Sequence, residues 1–476
     1  MKLKSLIAFA VAVSFACPSL RAQADDSTKQ LARGILQQLV ETNTTESAGS
    51  TTAAAEEMAQ RFLDAGFPPG DVLVLTPQDP RKGNLVVRLH GSGAHRPLLL
   101  IGHLDVVEAV RDNWSTDPFR LIEKDGYFYG RGTQDMKDGD AILVTTLLQF
   151  KREGYQPNRD IILALTADEE TGALDGVEWL LKNHRDLIDA EYVLNADSGD
   201  LVTKNGKPET ISIEASEKLY ADYRLEADNP GGHSSLPTRD NSIYHLADGL
   251  ARLQAYQFPF ELNEVTRAYF RREAATQSAP TARDMLAILR TPPDPAAVAR
   301  LDADPRYHAM MRTTCVATRL NAGEANNALP QTARATVNCR ILPGHTREET
   351  RRALTRVLAD PKIAVGYIDF DGQVLAAAPS EPPPPKLTLR PDVMAALTKV
   401  GAQMWPGVPV IPEMITGATD GTATNAAGLP TYGVSGVGID SDDVRFHARD
   451  ERVRVQAFYD GAEFYYRFLK VLTSGQ

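Results

Sequence analysis

PLLLIG at 97–102 is a short apolar run that ends in His103-Leu104-Asp105. Two later runs repeat the arrangement: IILALTA at 161–167 leads into Asp168-Glu169-Glu170, and YVLNA at 192–196 leads into Asp197. Short apolar runs bounded by helical patterns read as buried parallel strands. Between the first two, residues 140–154 carry Ala141, Val144, Leu147 and Leu148 at helical spacing, with Gly154 as a stop signal. Strand, helix, strand, helix, strand from 97 to 197 is the βαβ alternation of a mostly parallel sheet, which carries helices on both faces. In such open sheets, sites form beyond the carboxyl ends of the strands. One histidine and several carboxylates meeting there make a donor set that zinc accepts. Two adjacent glutamates at a buried strand end also concentrate negative charge that needs a cation. This pattern predicts a metallohydrolase.

The rest of the chain sets bounds. Its 476 residues suit two domains with ample core. A hydrophobic share of 43% and a charged share of 24% are ordinary for a globular protein. The net charge of −11 argues against nucleic acid and anionic membrane as partners. Residues 1–24 read as a signal peptide: Lys2 and Lys4 precede an apolar stretch at 6–16, and Ala22-Gln23-Ala24 is a cleavage site. Cys17 raises lipidation as an alternative, although Ser14 stands where a lipobox has an aliphatic residue. An exported, periplasmic or secreted protein without a membrane span is expected.

Helices are predicted over 30–40 and 53–65, with strands over 71–76 and 84–90. The texture changes near 213. Residues 215–226 alternate like an antiparallel strand, 228–237 is turn-rich, and 242–253 is helical. Strands at 313–320 and 333–342, a helix at 347–358 and a strand at 363–370 follow. This order suits a small α+β domain over 214–375, inserted into a larger domain made of 25–213 and 391–476. AAAPSEPPPPK at 376–386 reads as a stiff connector, placed at 376–390. Helices at 392–403 and 457–472 resume the larger domain. Cys315 and Cys339 lie in the two strands that flank 321–330, which leaves open either a disulfide or two buried thiols.

GHLDVVEAVRDNWSTDPFRLIEKDGYFYGRGTQDMKDGDA, LALTADEETGALDG and YVLNADSGD resemble the di-zinc exopeptidase and deacylase family. That family includes glutamate carboxypeptidase, aminoacylase, acetylornithine deacetylase, succinyl-diaminopimelate desuccinylase and carnosinase. The likeness continues through NPGGHSSLP, GEANNALPQTARATVNCRILPG, TGATDGTA and FHARDERV, in the family's order. It implies a zinc-exopeptidase-like α/β domain interrupted by a ferredoxin-like lid, through which homodimers form in some members. It implies two Zn²⁺ per subunit, with Co²⁺ or Mn²⁺ as substitutes. Asp135 would bridge them, His103 and Asp197 would complete one, and Glu170 and His447 the other. Glu169 would be the general base, and Asp105 a carboxylate fixing the tautomer of His103. His233 would stabilise the oxyanion. Asn327 and Arg340 would hold the substrate's carboxylate, and Gly417 and Thr419 would line its pocket. The resemblance also implies a cis peptide at Asp135-Met136. The substrate implied is a peptide or dipeptide cleaved beside its C-terminal residue, or an N-acyl amino acid; a metal-stabilised binding protein without activity is the rival from another class. Leu104, Glu108 and Asp138-Gly139-Asp140 depart from the family's usual residues without removing a ligand.

Overall fold

The alternation of Leu98 to Ile101 explains the architecture. Successive side chains of a strand point to opposite faces. Leu98 and Leu100 join one apolar cluster, with Leu85, Val87, Ile161, Leu163, Leu165, Tyr192 and Leu194. Leu99 and Ile101 join another, with Val86, Ile162, Ala164 and Val193. A sheet buried on both faces needs helices on both, and the computed structural model has them. It describes residues 26–172, 175–380, 382–383, 385 and 388–474. The predicted signal peptide 1–24, with Cys17, lies outside these residues, as do four positions of the connector.

On the first face lie helices Asp26–Glu41, Thr51–Asp64, Lys137–Glu153, Pro391–Met404 and Val455–Thr473. On the second lie the short helices Val177–Asn183 and Arg185–Ile188. The ten-stranded sheet is parallel through its middle, where Ile161–Thr166, Leu98–His103, Tyr192–Asn195 and Thr431–Gly433 lie side by side. Its register pairs Leu98 with Ile161 and His103 with Thr166, so the strands end together and the residues that follow emerge at one edge.

Helix Lys137–Glu153 stops at Gly154, which takes the left-handed conformation (φ +63°) that ends many helices. Gly102 lets this helix approach the sheet: a Cβ there would lie 2.4 Å from Asp140 Oδ1 and 2.8 Å from Met136 Cε. Among the described residues no helix is long and apolar enough to cross a membrane.

The second sheet has five strands, with Thr314–Ala322, Thr332–Ile341, Leu219–Asp228, Ile363–Ile368 and Val374–Leu375 side by side in that order. Helices Ser242–Ala255 and Arg347–Leu358 cover its apolar face. The chain order β-α-β-β-α-β with this strand order is the ferredoxin-like arrangement. Cys315 and Cys339 face each other in register and form a disulfide, which settles the open pairing.

The structure adds two details to the predicted organisation. The strand expected over 215–226 is two strands, Lys207–Glu217 in the large sheet and Leu219–Asp228 in the small one. Only Lys218 separates them. Helices Glu264–Glu273, Ala279–Ala287, Pro295–Leu301 and Pro305–Met311 interrupt the inserted segment, yet Val265, Phe270, Met285 and Met311 pack into the larger core.

Candidate metal centre

The edge where the middle strands end collects the predicted ligands. His103 closes its strand, 1% exposed, and its Nδ1 donates to the Asp105 carbonyl oxygen at 3.0 Å. That bond leaves Nε2 free as a ligand atom. It lies 3.2 Å from Asp135 Oδ1, 3.6 Å from Asp197 Oδ1 and 3.9 Å from Glu169 Oε2. His447 comes from the far end of the chain, in the left-handed region at φ +58°. Its Nε2 lies 3.0 Å from Asp135 Oδ2 and 3.0 Å from Glu170 Oε2. Asp135 thus offers one carboxylate oxygen to each imidazole. Its peptide bond to Met136 is cis, as the resemblance implied.

Electrostatics explain what such a cluster favours. Burial opposes a charge on His103, yet hydrogen bonds to Asp135 and Asp197 outweigh it and hold its pKa well above the usual imidazole value. Burial pushes Asp197 up to about 6 and Glu169 well above an ordinary carboxyl. Hydrogen bonds to Asp135 and Glu170 lift His447 to about 10. The carboxylates of the cluster outnumber its imidazoles, so the site favours added positive charge. Divalent cations would supply that charge. The ligand atoms of His103, Glu169 and Asp197 lie within 4.8 Å of one another, as do those of His103, Asp135 and Glu170. Imidazole nitrogen with carboxylate oxygen, buried except at the exposed His447, fits zinc and its first-row neighbours.

Two features around the ligands were not read from the sequence. Glu451, fully buried, accepts from the backbone N–H groups of Gly132, Gln134 and Asp135 at 3.1, 2.7 and 3.1 Å and pairs with Arg131. It lies in the quoted FHARDERV, but one acid among charged neighbours gave no local sign of burial. Asp168, at φ +62°, pairs with Lys82 and holds the turn before Glu169. Asp105 meets His103 Nδ1 through its carbonyl oxygen at 3.0 Å, with its carboxylate Oδ1 at 3.7 Å. The carboxylate also accepts from the N–H groups of Glu169 and Glu170 at 3.3 and 3.1 Å. It sets the turn that carries both glutamates.

The other predicted residues stand in two further places. His233, exposed, pairs across a two-stranded ribbon with Ala328, and Ser234 donates to the Asn327 carbonyl at 3.0 Å. His233 Nδ1 accepts from the Ser235 hydroxyl at 2.7 Å and its N–H at 3.2 Å, which leaves Nε2–H as a free donor. Arg340 lies on the small sheet, its guanidinium 4.7 Å from the centre of the Tyr220 ring. Thr419 accepts from the Asn195 amide at 3.0 Å and donates its own N–H to Glu217 at 2.8 Å, which ties the loop containing Gly417 to the large sheet.

Comparison with known proteins fits this geometry. Residues 99–471 match the family described as Peptidase family M20/M25/M40. The chain is 28% identical over 383 residues to "Probable carboxypeptidase S-like 2" of Dictyostelium discoideum, covering 79% of this chain and 71% of that one. It is 28% identical over 387 residues to human "N-fatty-acyl-amino acid synthase/hydrolase PM20D1", covering 79% and 74%. The M20 family metallo-carboxypeptidase Sso-CP2 of Sulfolobus solfataricus superposes with a TM-score of 0.66 at 16% identity, over 93% of this chain and 99% of that one. With the ligand cluster in place and most of its length matched, the chain belongs to the M20/M25/M40 peptidase family of metal-dependent hydrolases.

Proposed function

We propose that this chain is an exported exopeptidase that holds two divalent cations, zinc foremost, and cleaves the amide bond beside a substrate's C-terminal residue. The observation that carries the reading is the pair of imidazoles on opposite oxygens of Asp135. Asp135 would hold both cations, with His103 and Asp197 on one and Glu170 and His447 on the other. Bound there, the cations supply Lewis acidity and lower the pKa of a water molecule.

The chain's own residues do the rest. Glu169, whose proton affinity burial raises, takes the proton of the attacking water and passes it to the departing nitrogen. Asp105 keeps that carboxylate in place through the turn. His233 offers Nε2–H to the developing oxyanion. Arg340 presents a planar fork to the substrate's carboxylate, with Asn327 beside the same ribbon as His233. The loop of Gly417 and Thr419 borders the pocket. The Cys315–Cys339 disulfide supports an oxidising compartment and hence export. Hydrolysis of N-acyl amino acids is the second reading, favoured by the likeness to the human N-fatty-acyl-amino acid synthase/hydrolase.

Release of free amino acid from dipeptides, longer peptides and N-acyl amino acids tests both readings. The zinc-reconstituted protein is expected to cleave the peptides. Glu169→Gln should keep its metal and lose turnover by about 10²–10⁴-fold. Cleavage confined to N-acyl substrates would move the chain to the second reading, and unchanged turnover in Glu169→Gln would remove that residue from the mechanism.

A further inference from the structure

Asp138 stands in the first turn of helix Lys137–Glu153, departs from the family's usual residue, and takes no part in the metal centre described above. It is 4% exposed. Its Oδ1 accepts the N–H of the adjoining Gly139 at 2.9 Å, and among the described residues its Oδ2 has no partner. Asp138 lines a cavity of about 70 Å³ whose wall also includes Asp135, Asp197 and Asp200. Asp200 accepts from the Ser435 hydroxyl through Oδ1 at 2.6 Å, and its Oδ2 likewise has no partner among the described residues. Four carboxylates therefore border one space, and no lysine, arginine or histidine lines it. Cations close by in sequence are committed elsewhere. Lys137 Nζ donates to the Leu39 and Thr42 carbonyls at 2.8 and 2.9 Å, Arg131 pairs with Glu451, and Arg445 pairs with Asp443.

A carboxylate taken out of water needs a partner of opposite sign. Two cations at the metal centre would engage Asp135 and Asp197, yet Asp138 and Asp200 would still share the cavity unmet. We infer that this cavity is a further cation site, held by Asp138 and Asp200, with Ser435 orienting the second of them. Its donors are oxygens, without imidazole or thiolate, which suits a hard divalent cation of the calcium or magnesium class and not zinc. About 10–15 Å³ holds one water, so the space admits the ion and waters that complete its shell. The three residues come from separate segments: Asp138 from the start of its helix, Asp200 from the loop after strand Tyr192–Asn195, and Ser435 from the stretch after strand Thr431–Gly433. A cation there braces the two segments that present Asp135 and Asp197. The site needs no assumption about the substrate.

The test counts metal in the full chain. Zinc-loaded protein is dialysed to equilibrium against calcium or magnesium at about 5 mM, above the range of weak oxygen sites, and its metals are measured by mass spectrometry. The parent is expected to hold one calcium or magnesium ion per chain beside its zinc. Asp138→Asn/Asp200→Asn should keep its zinc and lose that ion. The same cation should raise the melting temperature of the zinc-loaded parent and leave that of the variant unmoved. A parent that binds neither cation overturns the inference and gives both carboxylates to protons. Binding that survives in the double variant also overturns it and moves the ion to another acidic surface. A third zinc held instead, and lost in the same variant, would overturn the cation class. Should the variant not fold, crystals of the parent soaked in calcium decide. Anomalous density between Asp138 and Asp200 supports the site, and none there overturns it.

Discussion

Glu451 shows how far one side chain can govern a metal centre that it does not touch. It fixes three backbone N–H groups of the loop that ends at Asp135 and pairs with buried Arg131, whose side chain is 3% exposed. Glu451→Ala would strand that guanidinium, at a cost of about 3–5 kcal/mol. Urea unfolding should show the loss, and metal titration should show weaker binding; a variant as stable as the parent would contradict the assignment. Acid groups near the ligands set a pH dependence of opposite sign to the usual one. Burial raises Asp197 to about 6 and Asp200 to about 7, above the unfolded value of about 3.9. The folded state then binds more protons between about pH 4 and 7, so their contribution is whole below pH 4 and is lost as pH rises through 6 to 7. Metal-free protein should melt at lower temperature at pH 7 than at pH 5, and zinc should stabilise it more at pH 7. A metal-free melting point that rises over that interval would refute this.

At the scale of elements, spacing made most strands and helices legible. The expected helix over 140–154 is observed as Lys137–Glu153, and those over 347–358 and 457–472 as Arg347–Leu358 and Val455–Thr473. Period and stop signals are local, so they survive in the sequence. The break at Lys218 was not legible, because residues on either side alternate alike whichever sheet they join. The edge strand Thr314–Ala322 illustrates the same point. Its outward residues Val316 and Leu320 are 61% and 68% exposed, and the disulfide ties it to its single neighbour. Replacing both cysteines with alanine frees a separation of 24 residues and should cost about 3 kcal/mol. Denaturation of the parent with and without reductant, beside the double variant, measures it; a reductant-insensitive midpoint would argue against the bond.

Across the whole molecule, the inserted segment does not form one body by itself. Phe270 and Tyr269 on helix Glu264–Glu273 are buried with the large core, and that helix packs on strand Val410–Ile415. Phe270→Ala should therefore destabilise the catalytic unit by about 3–5 kcal/mol. Thermal unfolding should show a lower transition together with loss of metal retention. If only an independent lid transition moved, the packing described here would be wrong.

The sequence by itself determined the layered α/β architecture, the metal chemistry and the residues able to serve it. Apolar periodicity and the chemical type of His103, Glu169 and Glu170 are properties of short segments. Only the tertiary structure decided which atom of Asp105 meets His103, that Glu451 is buried beneath Asp135, and that Asp138, Asp200 and Ser435 line one cavity. Those facts depend on the register between strands and on the approach of segments more than 300 residues apart. No local pattern records the distances at which they meet.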